Sequence, residues 1–229
     1  MAVITFSRQF GSGGDEIARR VCEALGYQYF DKRMLVAVAA RGYRGAEQMV
    51  DYHEDTYKVR SFMDHVLGWR RPPINPSVQH LSPARAKAAS GPISEHMLVW
   101  LVDAAVRTAY EKGRLVILGR AGQVILMGKP DVLHVRIEAP IEQRVARVAD
   151  EQKISQEAAR QLVVEHDRSG ADYLRRFYGV NWADPLLYHL VINTGRWNIG
   201  AAVALVECAA AHLLEPEPPT LCEHGIPER

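Results

Sequence analysis

Val3-Ile4-Thr5-Phe6-Ser7-Arg8-Gln9-Phe10-Gly11-Ser12-Gly13-Gly14-Asp15-Glu16-Ile17-Ala18 is the stretch whose reading decides the fold. It opens with an apolar run that includes the β-branched residues Val3, Ile4 and Thr5, the composition of a buried strand. Three glycines follow within four residues, and from Glu16 the spacing of Ile17, Val21, Ala24 and Leu25 places apolar side chains on one face of a helix. Strand, glycine loop and helix in that order form an anion cradle. Glycines let backbone N–H groups approach a phosphate, and the helix N-terminus adds its dipole. The plainer alternative is a tight βα turn that merely requires small residues.

The common phosphate-loop pattern is G-x-x-x-x-G-K-[ST]. With Gly13 as the second glycine, Gly14 stands where the lysine belongs and Asp15 where the Ser/Thr belongs. The cradle of Gly11, Ser12, Gly13, Gly14, Asp15 and Glu16 therefore lacks its usual charged arm. Arg8, directly before it, is the nearest cation able to replace that arm in part; the alternative is a surface arginine or a loop brace.

Beyond the loop, the order of motifs resembles the cytidylate kinase-like family, a branch of the nucleoside monophosphate kinases. The likeness is carried by Ser7-Arg8-Gln9-Phe10-Gly11-Ser12-Gly13-Gly14, Glu16-Ile17-Ala18, Leu25-Gly26-Tyr27 and Tyr29-Phe30-Asp31-Lys32. Val116-Ile117-Leu118-Gly119-Arg120, then Asp167 with Tyr173, then Val191-Ile192-Asn193-Thr194 continue it in the same order. It covers roughly residues 3–213 and is weakest between about 43 and 95. The resemblance implies an α/β, three-layer P-loop kinase-like fold: a parallel sheet with helices on both faces, a helical insertion and a lid. It implies one domain over 1–214, with an acceptor-side insertion at 43–95, a lid region at 150–185 and an exposed tail at 215–229.

The resemblance also implies ATP and Mg2+ as cofactors, nucleotide ligands as partners, and a set of site residues. Arg8, Asp167, Arg175 and Arg176 are the catalytic candidates. Gly11 to Glu16, Arg144 and Asn193 would hold the donor nucleotide, Arg144 by stacking on its adenine. Asp31, Arg120 and Arg168 would hold the acceptor. Glycine is usual in this family at the lysine position, so Gly14 agrees with it, whereas Asp15 departs from it. The family pattern also places an arginine near Gly170, where this chain has none.

Each candidate has a structural alternative. Arg120 follows an apolar run and a glycine, where an arginine forks onto phosphate or pairs with a carboxylate such as Asp31. Asp31 either orients a magnesium-bound water or an arginine, or caps the helix expected from Lys32. Asp167, Arg168, Arg175 and Arg176 lie in a polar stretch. There the arginines either neutralise charge on a closing lid or pair with Asp167 and Asp172 on a solvated helix face.

Length and composition agree with an ordinary soluble α/β domain. The 229 residues suffice for one sizeable core, and 48% hydrophobic with 24% charged residues excludes a disordered chain. A formal net charge of +1 argues against a nucleic-acid partner. Cys22, Cys208 and Cys222 are too sparse for a disulfide framework and point to reduced thiols in a cytoplasmic setting. No signal peptide and no membrane span are expected. Cys222-Glu223-His224 is at most half of a metal site, and the histidines lack H-x-x-x-H spacing, so no metal ligands are assigned. The oligomeric state is left open.

The remaining elements follow from periodicity. Strands are expected over 27–30, 115–118, 132–137 and 188–193. Helices are expected over 32–40, 96–111, 141–148, from an N-cap at Ser155 to about His166, and over 198–214. Residues 69–92 read as a long loop. Strands alternating with helices imply a parallel sheet whose ligands gather at the carboxyl ends of the strands.

Overall fold

The first apolar run forms β1 (Val3–Arg8), buried on both faces until its last residue. The computed structural model of the protein describes residues 2–30 and 95–213. Asp31, the 43–95 insertion except for the start of one helix, the 69–92 loop and the tail lie outside the described residues. After β1 come α1 (Gly14–Leu25), β2 (Gln28–Phe30), α2 (Glu95–Lys112), β3 (Leu115–Leu118) and the short α3 (Gly122–Ile125). β4 (Val132–Glu138), α4 (Ile141–Gln152), α5 (Gln156–Tyr178), β5 (Leu190–Asn193) and α6 (Ile199–Leu213) complete it.

The five strands pair in the order β2-β3-β1-β4-β5, and every pairing is parallel. β1 is therefore central, with Thr5 in register with Ile117 of β3 on one side and His134 of β4 on the other. The chain crosses from the β2–β3 half to the β4–β5 half around β1. That crossing opens a crevice at the carboxyl end of β1, where the glycine loop begins.

Alternation along the strands divides the core into two faces, giving the expected three layers. Ile4, Phe6, Val116, Val135 and Ile137 pack with Ile17 and Val21 of α1 and Ala202 and Val206 of α6. Val3, Leu115, Ile117 and Val132 pack on the opposite face with Val102, Ala105 and Val106 of α2 and Tyr173 and Leu174 of α5. A smaller cluster joins α4 to the N-terminal half of α5 through Val145, Val148, Leu162 and Val163, with Phe10 of the loop against it. Among the described residues no helix is long and apolar enough to cross a membrane.

One face carries buried polar groups. Thr5, Ser7, His134 and Arg136 are all buried. The indole N–H of Trp182 donates to Ser7 Oγ at 2.7 Å, and Arg136 donates to the Trp182 carbonyl at 2.7 Å while its guanidinium lies 4.6 Å from the Trp182 ring centroid. These contacts bind the segment after α5 to the sheet and meet the requirement that buried polar groups find partners. His134 shares a 2.7 Å hydrogen bond with Thr5. Burial, reinforced by the neighbouring His189, pushes the His134 imidazole down to about 4, although the Leu126 backbone favours its charged form.

The periodicity reading stops a helix near His166, and there the structure differs. α5 runs unbroken from its Ser155 N-cap, which accepts the Ala158 N–H at 3.2 Å, to Gly179 in the left-handed conformation. Its inner face beyond His166 is formed by Ser169, Gly170, Tyr173 and Leu174, and the small residues hide the helical stripe from an apolar count.

Candidate functional site

α1 begins at Gly14 with Gly13 as its N-cap, at φ 82° and with no side-chain cap. Its first intrahelical bond runs from the Ile17 N–H to the Gly13 carbonyl at 3.1 Å. The preceding amides have no acceptor within the helix, which leaves them as donors for an anion. They border an open cleft of about 390 Å³ lined by residues 8–16 together with Arg19, Arg147, Val148 and Glu151. A Cβ on Gly13 would meet only the movable tip of Ile199 at 2.7 Å, so it is the left-handed backbone angle that requires glycine there.

Three neighbouring elements hold the loop. Thr194, just after β5, donates its hydroxyl to the Ser12 carbonyl at 2.6 Å. Arg147 of α4 donates to the Gly11 carbonyl. Asp167 of α5 accepts the Phe10 N–H at 2.9 Å, while Arg144 of α4 donates to the Phe10 carbonyl at 3.1 Å and to Asp167 at 2.6 Å. The Phe10 ring stacks on His166 with centroids 4.0 Å apart. The loop backbone thus has both its N–H and its C=O fixed at Phe10 before any ligand arrives, which is preorganisation of a binding site.

This geometry revises several residue roles. Arg144 is not presented for stacking on a base. Its side chain is 6% exposed, and its Nε donates to the Ala139 carbonyl at 2.9 Å in addition to the Phe10 and Asp167 contacts. Nor is it an exposed helix charge beside Glu142, because Glu142 pairs with Arg160 instead. Asp167 faces the loop backbone and Arg144 rather than the cleft, so in this arrangement it braces the loop. Arg147, one turn further on α4, is the residue of that pair that lines the cleft.

On α5, Arg175 pairs with Asp172 at 2.9 Å with its side chain 78% exposed, and Arg168 approaches the same carboxylate at 4.0 Å. Arg176 lies 5.1 Å from the Phe177 ring centroid. The three arginines are exposed on α5, away from the contacts that Asp167 makes with the loop. Asn193 ends β5; its Oδ1 accepts the Gly195 N–H at 2.8 Å and its carbonyl accepts the Arg196 and Trp197 amides, which shapes the turn beside the loop. Arg8 ends β1 and donates Nε to Asp15 at 2.9 Å; both line the cleft. Glu16 pairs with Arg20 along α1.

Arg120 stands at the carboxyl end of β3. Gly119, Arg120 and Ala121 take φ values of 65°, 62° and 55°, three left-handed residues in succession of which two carry side chains. Each such side-chain residue costs roughly 1–2 kcal/mol, and strain of this kind is held where a side chain must point one way. Arg120 itself is buried. Among the described residues no group of three or more histidine, cysteine, aspartate or glutamate side chains is placed to hold a metal ion.

Sequence reasoning missed Thr194 as a clamp, and it assigned no role to Phe10, Trp182 or Arg136. The contacts of Trp182 with Ser7 and of Asp167 with Phe10 span 175 and 157 positions, so no local pattern exposes them.

The sequence profile of the cytidylate kinase-like family matches residues 3–196. The chain is 32% identical over 126 residues to a cytidylate kinase of Methanopyrus kandleri, covering 52% of this chain and 65% of that one. It is 34% identical over 113 residues to a cytidylate kinase of Pyrococcus horikoshii, covering 49% and 57%. These matches span less than two thirds of either relative. A crystal structure of an uncharacterized protein from Eubacterium ventriosum superimposes with a TM-score of 0.62 at 16% identity, covering 92% of this chain and 99% of that chain, a likeness of fold alone.

Proposed function

Because the chain belongs to the cytidylate kinase-like family, we propose that it is an ATP-dependent nucleotide kinase that transfers the γ-phosphoryl group of ATP to a nucleoside monophosphate such as CMP. The observation that carries this reading is the braced glycine loop at the N-terminus of α1, opening on a cleft of about 390 Å³ beside the central strand. The donor phosphates would rest on residues 11–16, and the β5–α6 turn at Asn193 would border the donor base. The acceptor would lie towards Arg120 at the end of β3, with Asp31 and the 43–95 insertion completing its site.

The chemistry asks little of a protein base. The acceptor's own phosphate oxygen is the nucleophile, and catalysis is positioning together with charge stabilisation. Magnesium fits the donor set, because it is usually bound by one or two carboxylates plus substrate phosphates, and Asp15 and Glu16 supply carboxylates at the cleft. When bound it would neutralise phosphate charge. Arg168, Arg175 and Arg176 would act only if lid movement over residues 150–185 brings them to the phosphates, which requires Arg175 and Arg168 to leave Asp172.

Calorimetric titration tests the reading. ATP with magnesium and a nucleoside monophosphate should each bind, without competing. No binding of either nucleotide would remove the assignment. A second reading, a nucleotide-binding module without transfer, is favoured by one observation: Gly170, near which the family pattern has an arginine, is buried in the inner face of α5. Binding without turnover would select it.

Arg120→Ala should leave the protein folded and weaken acceptor binding by about 10- to 150-fold, the loss of a charge-assisted contact of roughly 1.5–3 kcal/mol. ATP affinity should change little. Unaltered CMP affinity and rate in the folded variant would place the acceptor elsewhere.

A further inference from the structure

Position 14 is where the phosphate-loop pattern carries lysine, and here it is the first residue of α1, a buried glycine. A Cβ on Gly14 would lie 2.6 Å from Arg8 Cβ and 2.8 Å from Arg8 Cγ. The nearer atom is the root of the arginine side chain, fixed by the backbone of β1, and it cannot yield as the tip of a flexible side chain does. Ile137 Cβ stands 3.3 Å away behind them. A side chain at position 14 and a long side chain at position 8 therefore claim the same space.

Arg8 is well placed to use that space. It ends β1 in the alternation of Ile4 and Phe6, towards α1, and its side chain is 14% exposed. It lines the cleft with Gly11 and Gly13, and Asp15 in the first turn of α1 takes its Nε at 2.9 Å. The geometry points to Arg8 as the phosphate-binding cation of this loop. The charge that a lysine would deliver from position 14 of the helix is delivered instead from the last residue of the strand, across the face of Gly14. Glycine at 14 is the steric condition for that exchange, and Asp15 is the carboxylate that holds the guanidinium until phosphate displaces it. Arginine stays charged at all working pH values and engages two phosphate oxygens at once, which a lysine ammonium does not. The inference rests on the reading of the cleft as the donor site.

The test is a charge swap read by calorimetry with ATP, ADP and adenosine, with and without magnesium. Arg8→Ala should weaken ATP binding by about 10- to 100-fold and adenosine binding hardly at all, because only phosphate contacts are lost. Gly14→Lys alone should also weaken ATP binding, since the lysine meets Arg8. The double variant Arg8→Gly with Gly14→Lys should recover most of the affinity lost in Arg8→Ala. Asp15→Asn should raise metal-free ATP affinity by removing a carboxylate that competes for Arg8. Wild-type affinity for ATP in folded Arg8→Ala overturns the inference while leaving the donor site intact. A folded double variant as weak as Arg8→Ala also overturns it. Failure of the unaltered protein to bind ATP overturns the donor-site reading and the inference together.

Discussion

Asp167→Ala should destabilise the fold by about 3 kcal/mol, the cost of leaving a buried guanidinium without its carboxylate. The carboxylate accepts from Arg144 at 2.6 Å and from the Phe10 amide at 2.9 Å. Its removal strands both donors and frees the start of the phosphate loop. ATP affinity should fall by about tenfold as the loop loses its preset shape, equivalent to roughly 1.4 kcal/mol. Asp167→Asn, which keeps an acceptor for Phe10 but not the charge, should fall between the two proteins. Removing both partners in Arg144→Met with Asp167→Ala should cost less than the sum of the single changes, because no buried charge is then unpaired. Urea unfolding of the unaltered protein, Asp167→Ala, Asp167→Asn, Arg144→Met and the double variant checks this. A residue needed only for phosphoryl transfer would behave otherwise: Asp167→Ala would keep its stability and its ATP affinity and lose turnover alone.

The second large effect is on acid stability. His134 is buried against Thr5 and His189, and its pKa falls from the usual 6.5 to about 4. The unfolded chain takes up this proton as pH drops through 6.5, while the folded protein holds the ring neutral until about 4. Folding stability therefore rises with pH across that window and is lost as pH falls through it. The full contribution is about 3 kcal/mol, and about 2 kcal/mol of it should be gone at pH 5. His134→Gln removes the titration and keeps a polar group facing Thr5. The difference in urea unfolding free energy between the variant and the unaltered protein should shift by that amount between pH 7 and pH 5. Parallel pH profiles would show that His134 titrates alike in both states.

The central strand, the glycine loop, β3 and β4 were legible because their signals are local: β-branched apolar runs bounded by glycine. Alternation implied a parallel sheet but not its strand order, and the pairings place the glycine loop at its carboxyl edge as anticipated. α5 was read short because its surface bears Glu165, Asp167, Arg168, Asp172, Arg175 and Arg176, while its buried side uses Ser169 and Gly170 beside Tyr173 and Leu174. An apolar count sees a charged stretch where the packing sees a continuous face.

The site was legible as a set of residue types more than as a set of partners. Gly11, Gly13 and Arg120 were identified by position, and the left-handed backbone at each adds a physical reason for it. Arg144 and Asp167 were each singled out for a role at the nucleotide, but their mutual contact spans 23 positions and depends on how α4 crosses α5. A charged residue that braces a loop and one that meets a substrate look the same in sequence. Burial separates them: Arg144 is enclosed, whereas Arg175 stands in solvent. The exchange of Arg8 for a lysine at 14 was half visible as a missing charge, and became specific only through the 2.6 Å approach of the two positions.

The most direct test of the whole account is a coupled assay that follows ADP formation from ATP and magnesium with a panel of nucleoside monophosphates, CMP among them. The account predicts ADP formation that depends on the acceptor, saturates with it, and is lost in Arg120→Ala. Folded protein that binds ATP yet forms no ADP with any nucleoside monophosphate would contradict it.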